Sequence, residues 1–355
     1  HSTVITSGLQ IQIGCQTDNN LSVKANEYIR APQVTLSLPI TKETIKLFTL
    51  WGGLVYIILP KGAKLGQFSV TVHGVQKAPY FQKGKTSLSD WRDTIRHYPA
   101  PWAELAADNV ILSVPTENIL SLDNPEELLQ FWDEALAKVA ELAAIPGHPH
   151  PERIVLDVQI PGGSMHSGYP IVMTHADMNT LLDLKKIKDF GTWGIIHELG
   201  HNQQKSGWNW EGTNESSNNL WSVYVHEKVV KVSWETAHRQ LNPSRREQRI
   251  KDYLKDGANI KEWKLFVALE TYLQLQEAFG WKPFIELFGD YQKIKYENTD
   301  EYKRNLWVEL FSQKVKKNLV PFFKMWGFPI TAATSDKLSA LPEWKENPMK
   351  KYVEK

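Results

Sequence analysis

Thr192-Trp193-Gly194-Ile195-Ile196-His197-Glu198-Leu199-Gly200-His201-Asn202 reads as a buried helix carrying two imidazoles and a carboxylate. Thr192 stands where an N-cap belongs, and the apolar run behind it leads directly into the histidines. Residues four apart on a helix share one face, about 6 Å apart along the axis, so His197 and His201 can reach one ion. Zinc suits two neutral imidazoles plus a carboxylate, with a fourth position open to water. Glu198, one step round, faces that position as candidate general base, taking a proton from water and passing it to a leaving amine. Gly194 and Gly200 each cost a helix up to about 1 kcal/mol relative to Ala, a penalty that makes sense where another backbone passes close by.

The third ligand has to lie downstream. A third histidine six residues after His201 is absent, because Gly207 stands there. Two carboxylates compete, Glu211 and Glu215. Glu215 opens a stretch in which Leu220, Val223 and Tyr224 recur at helical spacing, and a helix holds a ligand more rigidly than a loop. Glu215 is therefore the expected ligand, and Asn219, one turn later on the same face, the expected orienter of a ligating imidazole. Glu211, in a Gly- and Trp-rich connection, reads as a solvated or substrate-side acid.

Composition bounds the remainder. The chain has 355 residues, 42% of them hydrophobic, enough for a full core and better suited to two domains than one. A net charge of +1 gives no global field to attract nucleic acid. The cluster Arg245-Arg246-Glu247-Gln248-Arg249 reads as a solvated helix face. No run approaches the ~20 apolar residues of a membrane span, which argues against membrane insertion. Cys15 is the single cysteine, so no internal disulfide forms and a reducing compartment fits. Of two glycosylation triplets, Asn20-Leu21-Ser22 and Asn214-Glu215-Ser216, the second adjoins the expected ligand, where a glycan would crowd the site.

The fold class expected is α+β, with an N-terminal β-sandwich over residues 1–80 followed by a mainly helical metallopeptidase domain over residues 81–355. Residues 4–15, 28–38, 45–50, 54–59 and 68–72 alternate or run β-branched between turns. Asn124-Pro125-Glu126-Glu127 starts a helix leading into residues 128–144. Residues 154–160 read as a strand. Residues 262–279 form a helix that stops at Gly280, and residues 305–319 another that stops before Pro321. Gly162, Gly163 and Gly168 would permit an extended substrate to add to a sheet edge, making residues 166–172 one wall of a cleft. An ordinary loop with a packed Tyr169 is the competing reading. His166 or Tyr169 would there donate to an oxyanion. Trp208 and Trp210, between the ligands, are the aromatic candidates for substrate contact among 14 tryptophans.

The run His197 to Asn202, with Glu211-Gly212 and Glu215 to Asn219, resembles the enhancin-like, mucin-targeting gluzincins of peptidase family M60. Longer stretches are similar to the vertebrate TRP-melastatin channel-associated factors: Met165-His166-Ser167-Gly168-Tyr169-Pro170-Ile171, Asn219-Leu220-Trp221 through His226-Glu227, residues 268–281 and residues 342–347. They cover most of the chain from Trp51 onward. The first resemblance implies a zinc peptidase acting on protein or glycoprotein substrates. The second implies a regulatory module of an intracellular protein, held at the plasma membrane through a cold-sensing TRP-melastatin cation channel.

Overall fold

The computed structural model describes residues 2–353 apart from Lys264. The chain divides into two compact units, one of residues 1–133 with 150–183, the other of residues 134–149 with 184–355. The first unit carries the strands. Gln10–Ile13 (β1), Leu36–Pro39 (β2) and Val55–Ile58 (β3) form an antiparallel sheet in the order β2-β1-β3. Tyr80–Gln82 (β4), Trp102–Ala106 (β5), Val110–Pro115 (β6), Glu152–Asp157 (β7), Met165–His166 (β8) and Ile171–Thr174 (β9) form a mixed sheet in the order β4-β5-β6-β7-β9-β8. Strands β6, β7 and β9 run parallel. Leu112, Val114, Ile154, Val155, Leu156 and Ile171 on these strands are wholly buried, as the near-continuous apolar runs of parallel strands require. Arg30 grips Asp157 at the end of β7 in a bidentate pair of 2.8–3.0 Å.

The α+β class stands, and the N-terminal strands differ in extent from those expected. Ser2–Ile5 is helical, and β1 begins only at Gln10. Residues 45–50 and 68–72, expected as further strands of a sandwich, lie outside regular structure. Alternation sets a pleat, but a ladder partner comes from elsewhere in the chain and leaves no local trace. Both sheets belong to the first unit, so the compact units do not divide at residue 80.

Helix Pro125–Leu142 (α1) starts as its sequence dictates, with proline at the first position and the Glu127 N–H bonded to Asn124 Oδ1 at 3.2 Å. The second unit is helical: Trp193–Gln203 (α2), Asn214–Ser217 (α3), Asn219–Val225 (α4), Pro243–Lys255 (α5), Leu265–Phe279 (α6), Lys282–Tyr291 (α7) and Asp300–Val315 (α8). Its core is aromatic. Trp221 stacks on Phe288 at 5.1 Å, and Trp307 edges Tyr272 at 5.3 Å. Helix α6 ends at Gly280, whose φ of +70° places it in the left-handed region and whose N–H closes on the Gln276 carbonyl at 2.7 Å.

In the basic cluster on α5, Arg245, Glu247 and Gln248 face solvent as expected, whereas Arg246 and Arg249 turn inward. Arg246 and Arg249 reach 2.9 and 2.6 Å from the carboxylate of Glu270 on α6, which is wholly buried, and Arg246 also meets Glu277 at 2.6 Å. Burial pushes the Glu270 carboxyl up while the two guanidiniums oppose it. The partners lie more than twenty residues away in sequence, so the pattern of α5 alone does not reveal them.

Helix α4 widens into a turn at His226–Val230 that places the His226 ring against the start of α2. The ring donates from Nδ1 to the Ser222 carbonyl at 2.7 Å and accepts the Thr192 N–H on Nε2 at 3.0 Å. This imidazole, not the Thr192 side chain, caps α2. Burial pushes His226 down from 6.5 to about 4, with His238 adding to the shift and the Ser222 carbonyl opposing it. Above pH 6.5 the ring is neutral in both folded and unfolded chains. Between 6.5 and about 4 only the unfolded chain takes the proton, so stability falls with pH across that window, by on the order of 3 kcal/mol. Thermal melts of metal-free protein from pH 7.5 to 4.5 are expected to show this loss, and His226→Gln to flatten it. Parallel pH profiles for the two proteins would remove His226 from this role.

Candidate metal centre

Helix α2 presents His197 and His201 on one face with ring centroids 4.8 Å apart, and Glu215 on the short helix α3 closes on both. Glu215 Oε2 lies 3.2 Å from His197 Nε2 and 3.3 Å from His201 Nε2. One donor atom from each of the three residues lies within 4.8 Å of the others. The expected trio is therefore brought together. Glu211, the competing carboxylate, is exposed and offers its backbone N–H to Asp300 Oδ2 at 3.0 Å. Glu198 is buried on α2, directly after His197.

Two amides set the state of the imidazoles. Asn219 donates its Nδ2 to the Glu215 carbonyl at 2.8 Å, which turns its Oδ1 toward His197 Nδ1 at 2.7 Å. Gln204 donates its Nε2 to the Asn214 carbonyl at 2.7 Å and to Ser217 Oγ at 2.8 Å, which turns its Oε1 toward His201 Nδ1 at 2.7 Å. Both Nδ1 atoms must then carry hydrogen, and in the neutral rings both Nε2 atoms present lone pairs. Those lone pairs and an ionised carboxylate oxygen meet at 3.2–3.3 Å, an arrangement that repels itself unless a cation or a proton lies among them. The donor set fits a divalent ion of the zinc class, with both histidines oriented through their second nitrogen.

Asn219 was legible from its place one turn after Glu215. Gln204 was not: it sits at the end of α2 where the backbone turns extended, with ψ of 138°, and its direction depends on α3. Asn214 is a further residue the sequence reading missed, although it was flagged as a glycosylation triplet. Its Nδ2 donates to Glu215 Oε1 at 2.8 Å, and its Oδ1 accepts from Asn209 at 3.0 Å. The side-chain nitrogen that a glycan would occupy is thus the one that orients the carboxylate.

Gly200 explains how α2 and α4 approach. A Cβ there would stand 2.4 Å from the Asn218 carbonyl oxygen, so only hydrogen lets the two backbones meet. The Asn218 amide reaches back to the His197 carbonyl at 3.3 Å, and Ser222 Oγ to the Trp193 carbonyl at 3.2 Å.

Four residues were expected to meet substrate. Trp208 and Trp210 do not present their rings: they are 0% and 4% exposed. Trp208 packs on Phe288 and Tyr291, and Trp210 stacks on Trp263 at 6.1 Å. Gly212, with φ of +87° and only 2.2 Å between a built Cβ and the Trp263 carbonyl, brings the loop down so that both indoles turn inward. His166 and Tyr169 belong to the first unit. His166 Nε2 meets Asp18 Oδ2 at 2.7 Å, and Tyr169 is exposed beside the His150 ring at 4.5 Å.

Comparison with known proteins gives the chain's family and fold. TRPM8 channel-associated factor 2 of Homo sapiens is 50% identical over 351 residues, 98% of this chain and 38% of the relative. The TRPM8 channel-associated factor homolog of Xenopus laevis is 48% identical over 355 residues, 99% of this chain and 39% of the relative. The chain thus spans about two-fifths of the length of the curated relatives it matches. A functionally unknown conserved protein from Bacillus anthracis superposes with a TM-score of 0.74 at 22% identity, over 97% of this chain and 71% of that one. IMPa from Pseudomonas aeruginosa, solved in complex with an O-glycopeptide, superposes with a TM-score of 0.66 at 15% identity, over 95% of this chain and 47% of that one. At those identities the likeness establishes the peptidase-like fold alone. Residues 2–73 match the N-terminal domain of M60-like peptidases. Residues 74–327, which include α2 and Glu215, match the family described as peptidase M60, enhancin and enhancin-like, and the chain belongs to that family.

Proposed function

We propose that this chain is a zinc-dependent peptidase module in which His197, His201 and Glu215 hold the ion and Glu198 is the general base, acting on protein or glycoprotein, mucin-like substrates. The observation that carries this reading is the pair of Nε2 lone pairs aimed at a single Glu215 oxygen. Zinc, when bound there, supplies a Lewis acid that acidifies water and polarises a scissile carbonyl. Asn219 and Gln204 hold the two imidazoles in register, and Asn214 holds the carboxylate. Glu198, next to His197 on the buried helix, takes the proton of the attacking water and delivers it to the leaving amine. The family and the O-glycopeptide in the IMPa complex support the substrate class. Digestion of peptide and O-glycopeptide libraries by the zinc-loaded chain is expected to give products that a chelator prevents. Products that persist in chelator would remove the metal from the reaction.

A second reading is favoured by the names of the 48–50% identical relatives: a regulatory module that binds a TRP-melastatin channel, which we propose would hold it inside the cell at the plasma membrane. Co-purification with such a channel, and channel currents unchanged by the double substitution His197→Ala, His201→Ala, are its expected results. Loss of regulation in that folded double variant would tie the channel role to the metal site.

A further inference from the structure

One face of helix α8 carries the loop between His201 and Glu215. Asp300, Lys303 and Trp307 stand at the i, i+3, i+7 spacing of a single helix face, and each takes hold of that loop at a different residue. Asp300 Oδ2 accepts the Glu211 N–H at 3.0 Å, Lys303 Nζ donates to the Asn209 carbonyl at 3.1 Å, and the Trp307 ring edges Trp210 at 6.1 Å. Lys303 is the unusual member. It is only 6% exposed, and among the described residues no carboxylate pairs with its ammonium. Burying a cation costs far more than burying an amide, and a single backbone carbonyl offsets little of that cost for a group with three donors. An apolar side chain at this position would pack the loop at lower cost, so packing does not account for the lysine.

Residue 209 is where a directed series of hydrogen bonds begins, and each direction is forced from the metal end. A ligating carboxylate only accepts, so Asn214 offers Nδ2 to Glu215 Oε1 at 2.8 Å and turns its Oδ1 away. That oxygen takes the Asn209 Nδ2 at 3.0 Å, which leaves Asn209 Oδ1 to accept from Thr213 Oγ1 at 2.9 Å. The Asn214 carbonyl meanwhile takes the Gln204 Nε2 at 2.7 Å, from the amide that fixes His201. Two of the three ligands are thus aimed through Asn214, and Asn214 is aimed through Asn209. The Asn209 carbonyl, gripped by Lys303, ties the whole series to α8.

We propose that Lys303 is a positioning residue for the metal centre: by fixing residue 209 it sets the Asn209 and Asn214 amides that aim Glu215 and, through Gln204, His201. The role rests on the metal reading given above. The test is zinc affinity, measured by competition with a chromophoric chelator, together with the visible spectrum of the cobalt(II)-substituted chain, for wild type, Lys303→Met, Asn209→Ala and the double variant. Lys303→Met removes the ammonium and keeps the side chain's bulk, whereas Asn209→Ala leaves the carbonyl that Lys303 grips and removes only the amide. Each single variant is expected to bind zinc about 10- to 100-fold more weakly than wild type and to change the cobalt spectrum. The double variant is expected to lose no more than the weaker-binding single one, because both substitutions cut the same path. Circular dichroism verifies that each variant is folded at the assay temperature. Lys303→Gln, which keeps a donor but shortens its reach, carries the same expectation should Lys303→Met fail to fold. Wild-type affinity in the folded lysine variant, whatever its melting temperature, would make Lys303 a fastening for the loop alone and overturns the proposal. So do losses that multiply in the double variant, which would put the two residues on separate paths. A wild type that binds no zinc removes the metal reading and this inference with it, whereas zinc binding that the variants leave unchanged removes this inference alone.

Discussion

Glu198→Gln is expected to bind zinc as wild type does and to lose peptide cleavage by about 100- to 10,000-fold, the contribution of a positioned general base. Glu198 is not among the three residues whose donor atoms converge, so replacing its carboxylate by an amide of the same shape leaves the ligand set intact. Glutamine cannot accept the proton of water at neutral pH, and the loss therefore falls on turnover. The assay pairs cleavage of a fluorogenic peptide or O-glycopeptide with metal analysis of the same preparation. Cleavage that survives the substitution would remove Glu198 from the base role. Loss of metal together with activity would mean that the residue shapes the site instead of serving the reaction.

Gly200→Ala is expected to damage both the fold and the metal site. The added methyl would stand 2.4 Å from the Asn218 carbonyl oxygen, a backbone atom fixed by the start of α4. Alanine favours a helix by up to about 1 kcal/mol over glycine, so an exposed helix would gain from this change. Here the clash wins. Forcing a methyl between packed backbones costs about 1–3 kcal/mol, and relief by displacement moves α2 away from residues 218 and 219. That displacement lengthens the Asn219–His197 hydrogen bond of 2.7 Å and separates both imidazoles from Glu215. A lowered melting temperature and weaker zinc binding in the same variant are the expected outcome. A variant more stable than wild type would show that the two backbones are not in contact.

How much of this was legible in the chain depends on how local each determinant is. The i, i+4 relation of His197 and His201 is a property of one helix, and Asn219 follows Glu215 by the same interval, so spacing sufficed for these. The glycine penalty at Gly200 also pointed outward to a neighbouring backbone, which is Asn218. Trp208 and Trp210 were misread because the direction of a loop tryptophan depends on the close approach of Gly212 to Trp263, some fifty residues on. Residues 45–50 carry the alternation of a strand, yet among the described residues no neighbour pairs with them in a ladder. Arg246 and Arg249 read as surface charge because the acid that buries them stands on another helix. Gln204 belongs to the same class, since its amide is turned by Asn214 and Ser217 across the ligand loop.

The central claim is that two Nε2 lone pairs and one carboxylate oxygen form a cation site. Titration of metal-free protein with zinc, followed by calorimetry and by metal analysis after dialysis, tests it most directly. The account predicts one zinc per chain, lost in His201→Ala and in Glu215→Ala while the circular dichroism of the fold is retained. Zinc bound equally well by those variants, or not bound by the wild type, would contradict it.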